Sequence, residues 1–290
     1  MAIMNDTAIR IRLMILFLLL CGNVTVWILP NLSVAQAGEY LSVSFLDVGQ
    51  GDAILIQTPD GVEVLIDGGP NNSVLRELSK QMSFFDRKID MVIGTHPDSD
   101  HIGGLIDVLS RYEVDTIVTT ENQSDTSTAS SYVQATTNEG AKIIYARAGQ
   151  KFTLGESITL RVLFPVYEAS KMESNASSII LQLVYGEIEF LLTGDSPKRI
   201  EEYLVQEGVD LESDVLKAGH HGSRTSTSEM FLEAVDPQFA VISAEKDSRY
   251  GHPHVEVTDM LFNHRVTTYA TAEEGTVTFE SDGVNVWLEK

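Results

Sequence analysis

Apolar and polar residues alternate through Leu41–Leu46, and a period of two predicts a strand. Two more strand-like runs, Ala53–Thr58 and Val62–Ile66, flank Pro59-Asp60-Gly61, whose turn chemistry predicts a hairpin. Beyond Asp67-Gly68-Gly69 the spacing turns helical over Val74–Gln81. A short apolar strand, Met91–Thr95, and an amphipathic helix, Ile102–Tyr112, come next. Strand Thr116–Thr119, helix Ala129–Glu139 and strand Lys142–Tyr145 continue the alternation.

The second half has the same flavour. Ile158–Phe164, Ser178–Tyr185 and Ile188–Leu192 read as strands, the last two joined at Tyr185-Gly186-Glu187. Pro197–Gln206 reads as a helix with Ser196 as its cap and Pro197 in its first turn. Val215–Lys217, Phe239–Ser243, Thr267–Tyr269, Thr276–Glu280 and Val284–Leu288 are further strands, with helices over Ser228–Ala234 and Val255–Phe262. Each half thus opens on strands and then alternates strands with helices. Two mixed sheets packed face to face, with helices outside, bury such a pattern. The expected fold is an α/β (α+β) four-layer αββα sandwich in one domain, 39–290, since no Pro- or Gly-rich linker divides it.

The first 37 residues read differently. Arg10 and Arg12 precede an apolar run from Leu13 to Leu20, continued by Val26-Trp27-Ile28-Leu29 and closed by Ala35-Gln36-Ala37. This is the order of a secretory signal with a small-x-small cleavage site, so residues 1–37 are expected to export the chain. The apolar stretch also approaches spanning length, so an uncleaved membrane anchor is the alternative. A lipid anchor at Cys21 fits less well, because Leu20 before it is bulky. Cys21 is the single cysteine. Cleavage would leave no thiol for disulfides, catalysis or metal binding, so any metal must rest on histidines and carboxylates.

Charge narrows the partners. The sequence has 20 Lys and Arg against 42 Asp and Glu, a formal charge of −22. Tight, sequence-independent binding of nucleic acid uses a cationic surplus that releases counterions from phosphates. A processive, tight DNA binder is therefore not expected, although a nuclease is compatible with this charge.

The chemistry concentrates in Thr95-His96-Pro97-Asp98-Ser99-Asp100-His101-Ile102-Gly103-Gly104. Four potential ligands lie between an apolar strand and a helix, and the two glycines let backbone approach closely. Imidazole and carboxylate together suit zinc, manganese or iron. A polar loop with one capping Asp would account for one aspartate, but not for two histidines and two aspartates. Asp195 beside Ser196 and the pair His220-His221 supply further ligand types. His252 and His254 have either a structural role or one near the metals, and His264 shows no partner motif. Turn chemistry accounts for Asp47, whereas Asp52 keeps both readings. Ser223, Thr225 and Ser226 are either donors to an anionic substrate or an ordinary Ser/Thr-rich loop.

These motifs resemble the metallo-β-lactamase superfamily, whose mark is His-x-His-x-Asp-His after a strand. Asp98 stands here in place of the second histidine. That variant, with Phe45-Leu46-Asp47-Val48-Gly49-Gln50-Gly51-Asp52-Ala53, Leu65-Ile66-Asp67-Gly68-Gly69, Leu191-Leu192-Thr193-Gly194-Asp195, His220-His221-Gly222-Ser223 and Tyr250-Gly251-His252-Pro253-His254, is similar to the hydrolase domain of ComEC-family DNA-uptake proteins. The resemblance implies two divalent ions, zinc first and manganese as the alternative. His96 and Asp98 would bind the first ion, Asp100 and His101 the second, with Asp195 bridging and one of His220 and His221 completing the second site. Asp100 and Asp67 would serve catalysis, Asp67 by supporting the ligands. The family's third-motif histidine is missing, and Asn175 occupies that region. The first site is then expected to be completed by water or to favour a harder ion than zinc. Asn175, Ser223 and His252 are the expected substrate contacts.

The implied activity is metal-assisted hydrolysis of an anionic phosphodiester, with DNA as one possible substrate. Other ester or amide hydrolysis, as in phosphorylcholine esterases and β-lactamases, and a non-catalytic metal-stabilised binding protein are the competing readings. The membrane is expected to be met only through the N-terminal segment, and the sequence says nothing of oligomeric state.

Overall fold

Strand periodicity decides the layers. The computed structural model describes residues 14–17, 39–122 and 124–289. Fifteen strands divide between two sheets. The first contains β1 (Leu41–Phe45), β2 (Ile54–Gln57), β3 (Glu63–Ile66), β4 (Lys88–Gly94), β5 (Glu113–Thr119), β6 (Lys142–Tyr145), β14 (Val277–Ser281) and β15 (Val286–Leu288), in the order β15-β14-β1-β2-β3-β4-β5-β6. The second contains β7 (Lys151–Leu154), β8 (Ile158–Phe164), β9 (Ile180–Tyr185), β10 (Ile188–Leu192), β11 (Val215–Lys217), β12 (Phe239–Ile242) and β13 (Thr267–Ala270), in the order β13-β12-β11-β10-β9-β8-β7.

Alternate residues of one strand serve two different cores. Ile54 and Ile56 pack between the sheets with Phe190, Leu192 and Phe279, while Leu55 faces outward onto a helix layer. Ile188, Phe190 and Leu192 face the inner core, and Leu191 faces the other helix layer. This two-sided apolarity is what a sheet covered on both faces demands. In β8 the alternation breaks at a bulge between Val162 and Phe164, which turns Phe164 to the outer core.

Helices α1 (Ser73–Gln81), α2 (Ser99–Leu109) and α3 (Ser127–Glu139) cover the first sheet. Helices α4 (Lys198–Gln206), α5 (Glu229–Val235) and α6 (Val255–Asn263) cover the second, and the short α7 (Thr271–Glu274) follows β13. The result is the four-layer αββα sandwich expected from the pattern.

Several boundaries differ from the sequence reading. Helix α2 starts at Ser99 rather than Ile102, because Asp98 takes the extended N-cap conformation and Asp100 sits favourably in the first turn, before the apolar period begins. Helix α4 is capped by Pro197 rather than Ser196, and the Ser196 hydroxyl stays buried without a hydrogen-bond partner. Strand β7 and helix α7 were not anticipated. The signal or anchor reading falls almost wholly outside the described residues; residues 14–17 are helical and exposed. Among the described residues, no helix is long and apolar enough to cross a membrane.

Candidate metal centre

The first sheet delivers half of the site from the end of β4. Thr95 and His96 follow the strand, Asp98 caps α2, and Asp100 and His101 occupy its first turn. The Asp98 carboxylate makes no capping bond; it accepts from Ser174 Oγ at 2.6 Å instead. Gly104 is needed for a close crossing, since a Cβ there would lie 2.0 Å from the Gly68 carbonyl oxygen. The two glycines thus bring α2 against the Asp67 loop, rather than bringing backbone to the ligand cavity.

The second sheet delivers the other half. Asp195 follows β10, and the turn Gly219–Gly222 after β11 carries His220 and His221. Both histidines have left-handed backbone, at φ 49° and φ 55°. Such conformations cost about 1–2 kcal/mol per non-glycine residue. That cost is met where two adjacent rings must face one point.

Asp195 is that point. Its Oδ1 lies 3.3 Å from His101 Nε2. Its Oδ2 lies 3.5 Å from His221 Nε2, 3.6 Å from His220 Nε2 and 3.9 Å from His96 Nε2. Asp98 Oδ2 is 3.6 Å from His96 Nε2, and Asp100 Oδ2 is 3.5 Å from His221 Nε2. Ligand atoms of His96, His101 and Asp195 form one compact set, and those of Asp100, His101 and His221 form another. Neighbouring ligand atoms on a tetrahedral zinc ion lie about 3.4 Å apart, given bonds of about 2.1 Å. The observed spacings match that scale.

Hydrogen bonds fix the direction of each ring. The Thr95 hydroxyl donates to Asp67 Oδ2 at 2.7 Å, so it accepts from His96 Nδ1 at 3.0 Å. His101 Nδ1 donates to Asp67 Oδ2 at 2.7 Å, and His221 Nδ1 donates to the Ser243 carbonyl at 2.9 Å. When neutral, each of the three rings would carry its proton on Nδ1 and turn an Nε2 lone pair towards Asp195. Those three Nε2 atoms and Asp195 Oδ1 are buried without a hydrogen-bond partner. Orphaned buried groups cost about 1–3 kcal/mol each, and a divalent cation satisfies all four together. The residues present therefore fit the group.

Electrostatics agree. Burial holds His96 near pKa 4, assisted by repulsion from His101. Burial also disfavours charge on His221, but Asp195, Asp100 and Asp52 outweigh it and raise that ring to about 9. His101 is raised against its burial by Asp195 and Asp67. Asp195 is held well below the usual carboxylate range, against its burial, by His221, His101 and His96. Protons on two rings thus balance the carboxylates where metal charge would otherwise do so.

The structure separates residues that the sequence left together. Ligand-type atoms of His221, and not those of His220, group with those of Asp100 and His101. His220 is part-exposed, with Nδ1 3.1 Å from Thr225 Oγ1 and 3.5 Å from Asn175 Nδ2. Ser223 is buried, and its hydroxyl meets Thr225 at 2.9 Å, so it supports the His220 turn. His252 Nδ1 is buried without a partner, and its ring lies 5.5 Å from His220 and 6.2 Å from His221. Burial and the neighbouring histidines hold His252 near pKa 4. Asp47 accepts from Gly49 N, as turn chemistry requires.

Asp52 and Lys217 were not assigned from sequence. Lys217 Nζ lies 2.9 Å from Asp52 Oδ1, which lies 3.3 Å from His221 Nδ1. The residues are 165 positions apart, so no local pattern joins them, and only the apolar setting of Lys217 at the end of β11 hints at an unusual lysine.

A family model for the metallo-beta-lactamase superfamily matches residues 46–245. ComE operon protein 3 of Bacillus subtilis (strain 168) is 32% identical over 255 residues, covering 82% of this chain and 32% of that protein. Competence protein ComA of Neisseria gonorrhoeae is 30% identical over 241 residues, covering 82% and 32%. The chain spans about a third of the length of these relatives. Among solved structures, the metallo-beta-lactamase fold protein YhfI from Bacillus subtilis aligns with a TM-score of 0.55 at 13% identity, covering 85% of this chain and 99% of that one. CmlA, a diiron beta-hydroxylase from Streptomyces venezuelae, aligns at 0.57 and 15%, covering 84% and 55%. At such identities the two structures speak for the fold alone. Sequence and architecture agree that this chain belongs to the metallo-beta-lactamase superfamily and has bacterial competence proteins among its relatives.

Proposed function

We propose that the chain is an exported, metal-dependent hydrolase that cleaves phosphodiesters at a two-ion centre. The observation that carries this reading is the convergence of three oriented Nε2 lone pairs and both Asp195 oxygens on one buried point. His96 and Asp98 would hold one ion, Asp100, His101 and His221 the other, and Asp195 both. His220 stands 3.6 Å from Asp195 Oδ2, with Asn175 beside its ring. When bound, such ions supply a hydroxide by lowering the pKa of water from ~16 towards ~7, and they offset charge on the attacked phosphoryl group.

The chain's own residues do the positioning. Asp67 fixes His101 directly and His96 through Thr95. Asp100, whose side chain is only part-buried, would help to hold the second ion. Neutral His252 lies beside His220 and His221, where it would meet a substrate oxygen. Asn175 and Ser223 act on the site through the His220 turn. Relatedness to competence proteins favours DNA as the polymer, and the N-terminal Arg-apolar-small pattern favours export. The fold does not choose the reaction by itself, since it also carries a diiron hydroxylase.

Elemental analysis of the purified chain, with hydrolysis of bis-p-nitrophenyl phosphate under added zinc or manganese, tests the reading. Two ions per chain and chelator-sensitive turnover that Asp100→Ala abolishes are expected. Bound metal without turnover of any diester would make the chain a metal-stabilised binding protein instead.

A further inference from the structure

Beside the metal centre the fold leaves a cavity of roughly 480 Å³, a size that suits a small organic group. Its walls come from the start of α2, the end of β5, helix α3 and strand β6. His96 and Pro97 form part of the wall, so cavity and metal centre share a side chain. Tyr145 and Ile143, 48% and 42% exposed, belong to its outer part.

The lining says what kind of group fits. Among the described residues, neither Lys nor Arg lines the cavity, and Asp125 is its one acid. A phosphate would find no cation there. An aliphatic tail would strand the hydroxyls of Thr119, Thr120 and Ser130. Val133, Ile102 and Ile143 add apolar surface between these hydroxyls, and Tyr145 offers a ring at the rim. A flat ring with polar edges matches both kinds of wall.

Tyr132, 6% exposed, forms part of the inner wall of the cavity. Its hydroxyl is closed to solvent behind that wall, against Gly94, where a Cβ would come within 2.6 Å of it, two residues before His96. The polar edge of a ring would instead meet Thr119, Thr120 and Ser130.

We propose that this cavity receives one unstacked nucleobase from the nucleotide next to the phosphodiester under attack. The proposal rests on the phosphodiesterase reading above and narrows its substrate to single-stranded or frayed nucleic acid, because a base inside a duplex cannot enter a closed pocket without leaving its stack. Stacking on Tyr145 and hydrogen bonding to Thr119, Thr120 and Ser130 replace the cationic surface that this acidic chain lacks.

Saturation-transfer NMR on the full chain with deoxyadenosine, which carries no phosphate, tests the cavity without requiring turnover. Transfer centred on the base protons is expected. Ser130→Trp, which fills the cavity from an exposed position of α3, should abolish it. No base-centred transfer in the wild type, or transfer that survives Ser130→Trp in a chain with unchanged circular dichroism, would overturn the proposal. Hydrolysis of methyl p-nitrophenyl phosphate by the metal-loaded wild type tests the other reading separately. Base binding without that turnover would sink the phosphodiesterase and leave the nucleobase cavity standing.

Discussion

Lys217 and Asp52 face each other at 2.9 Å with both side chains closed to solvent. The lysine ends β11 of one sheet, and the aspartate lies in the loop after β1 of the other. Desolvating such a pair is costly, and it repays that cost only while both charges are present. Here the aspartate also stands behind His221, so the lysine lets a second buried carboxylate back the metal ligand without an uncompensated charge.

Lys217→Met should therefore destabilise the chain by about 3–5 kcal/mol, the usual result of leaving one buried charge alone. Urea denaturation reads the loss, and adding Asp52→Asn to the same chain should return part of it. A single variant as stable as the wild type would show that the pair is not coupled.

Asp67→Asn should lower metal affinity about 10- to 100-fold while sparing the fold. Asp67 receives three donors, from Thr95 N, Thr95 Oγ1 and His101 Nδ1. An amide presents its own NH2 to at least one of them, whichever way it is turned. Its left-handed backbone, at φ 58°, is one that Asn tolerates, so the loss should come from the ligands rather than the loop. Competition with a chelator measures it.

Metal loading should release protons. Without metal, His221 titrates near 9 and His101 is also raised, so both rings are protonated at neutral pH. An ion must displace those protons, so affinity should rise with pH from the neutral range to at least about pH 9, where His221 loses its proton. Calorimetry in buffers of differing ionisation enthalpy counts the protons, and no release at neutral pH would contradict the shifts.

Stability should also carry a signature from Glu63, far along β3 from the metals. Burial, opposed by the Gln57 hydrogen bond and assisted by Asp86 and Asp90, raises its pKa from 4.5 to about 7. The folded chain then holds that proton more tightly than the unfolded one. The stability it contributes is full below 4.5 and is lost as pH rises through about 7. Between about pH 5 and about pH 8 the wild type should lose roughly 2 kcal/mol that Glu63→Gln keeps. Parallel urea curves for the two proteins would reveal an unchanged difference if Glu63 were innocent.

Much of this architecture was legible because the sheets are covered on both faces. Ile54 to Ile56, and Phe190 to Leu192, are apolar throughout, and the turns of their strands are marked by Pro59-Asp60-Gly61 and Tyr185-Gly186-Glu187. Strand β7 was missed although Phe152 and Leu154 alternate onto the inner core, because four residues at a sheet edge, two of them exposed, give too short a pattern. The start of α2 was hidden by its ligands, since Asp98 and Asp100 read as loop when judged by propensity. The sequence also left His220 and His221 interchangeable. Left-handed backbone at both residues, which no propensity announces, sends the two rings to different neighbours.

The ligand set is divided between the sheets: His96, Asp98, Asp100 and His101 arrive from one, Asp195, His220 and His221 from the other. Neither half of the chain owns a complete binding site. Metal occupancy of that set would thus gauge how well the two halves are docked, and a chain cut between β6 and β7 should report its own reassembly by taking up metal.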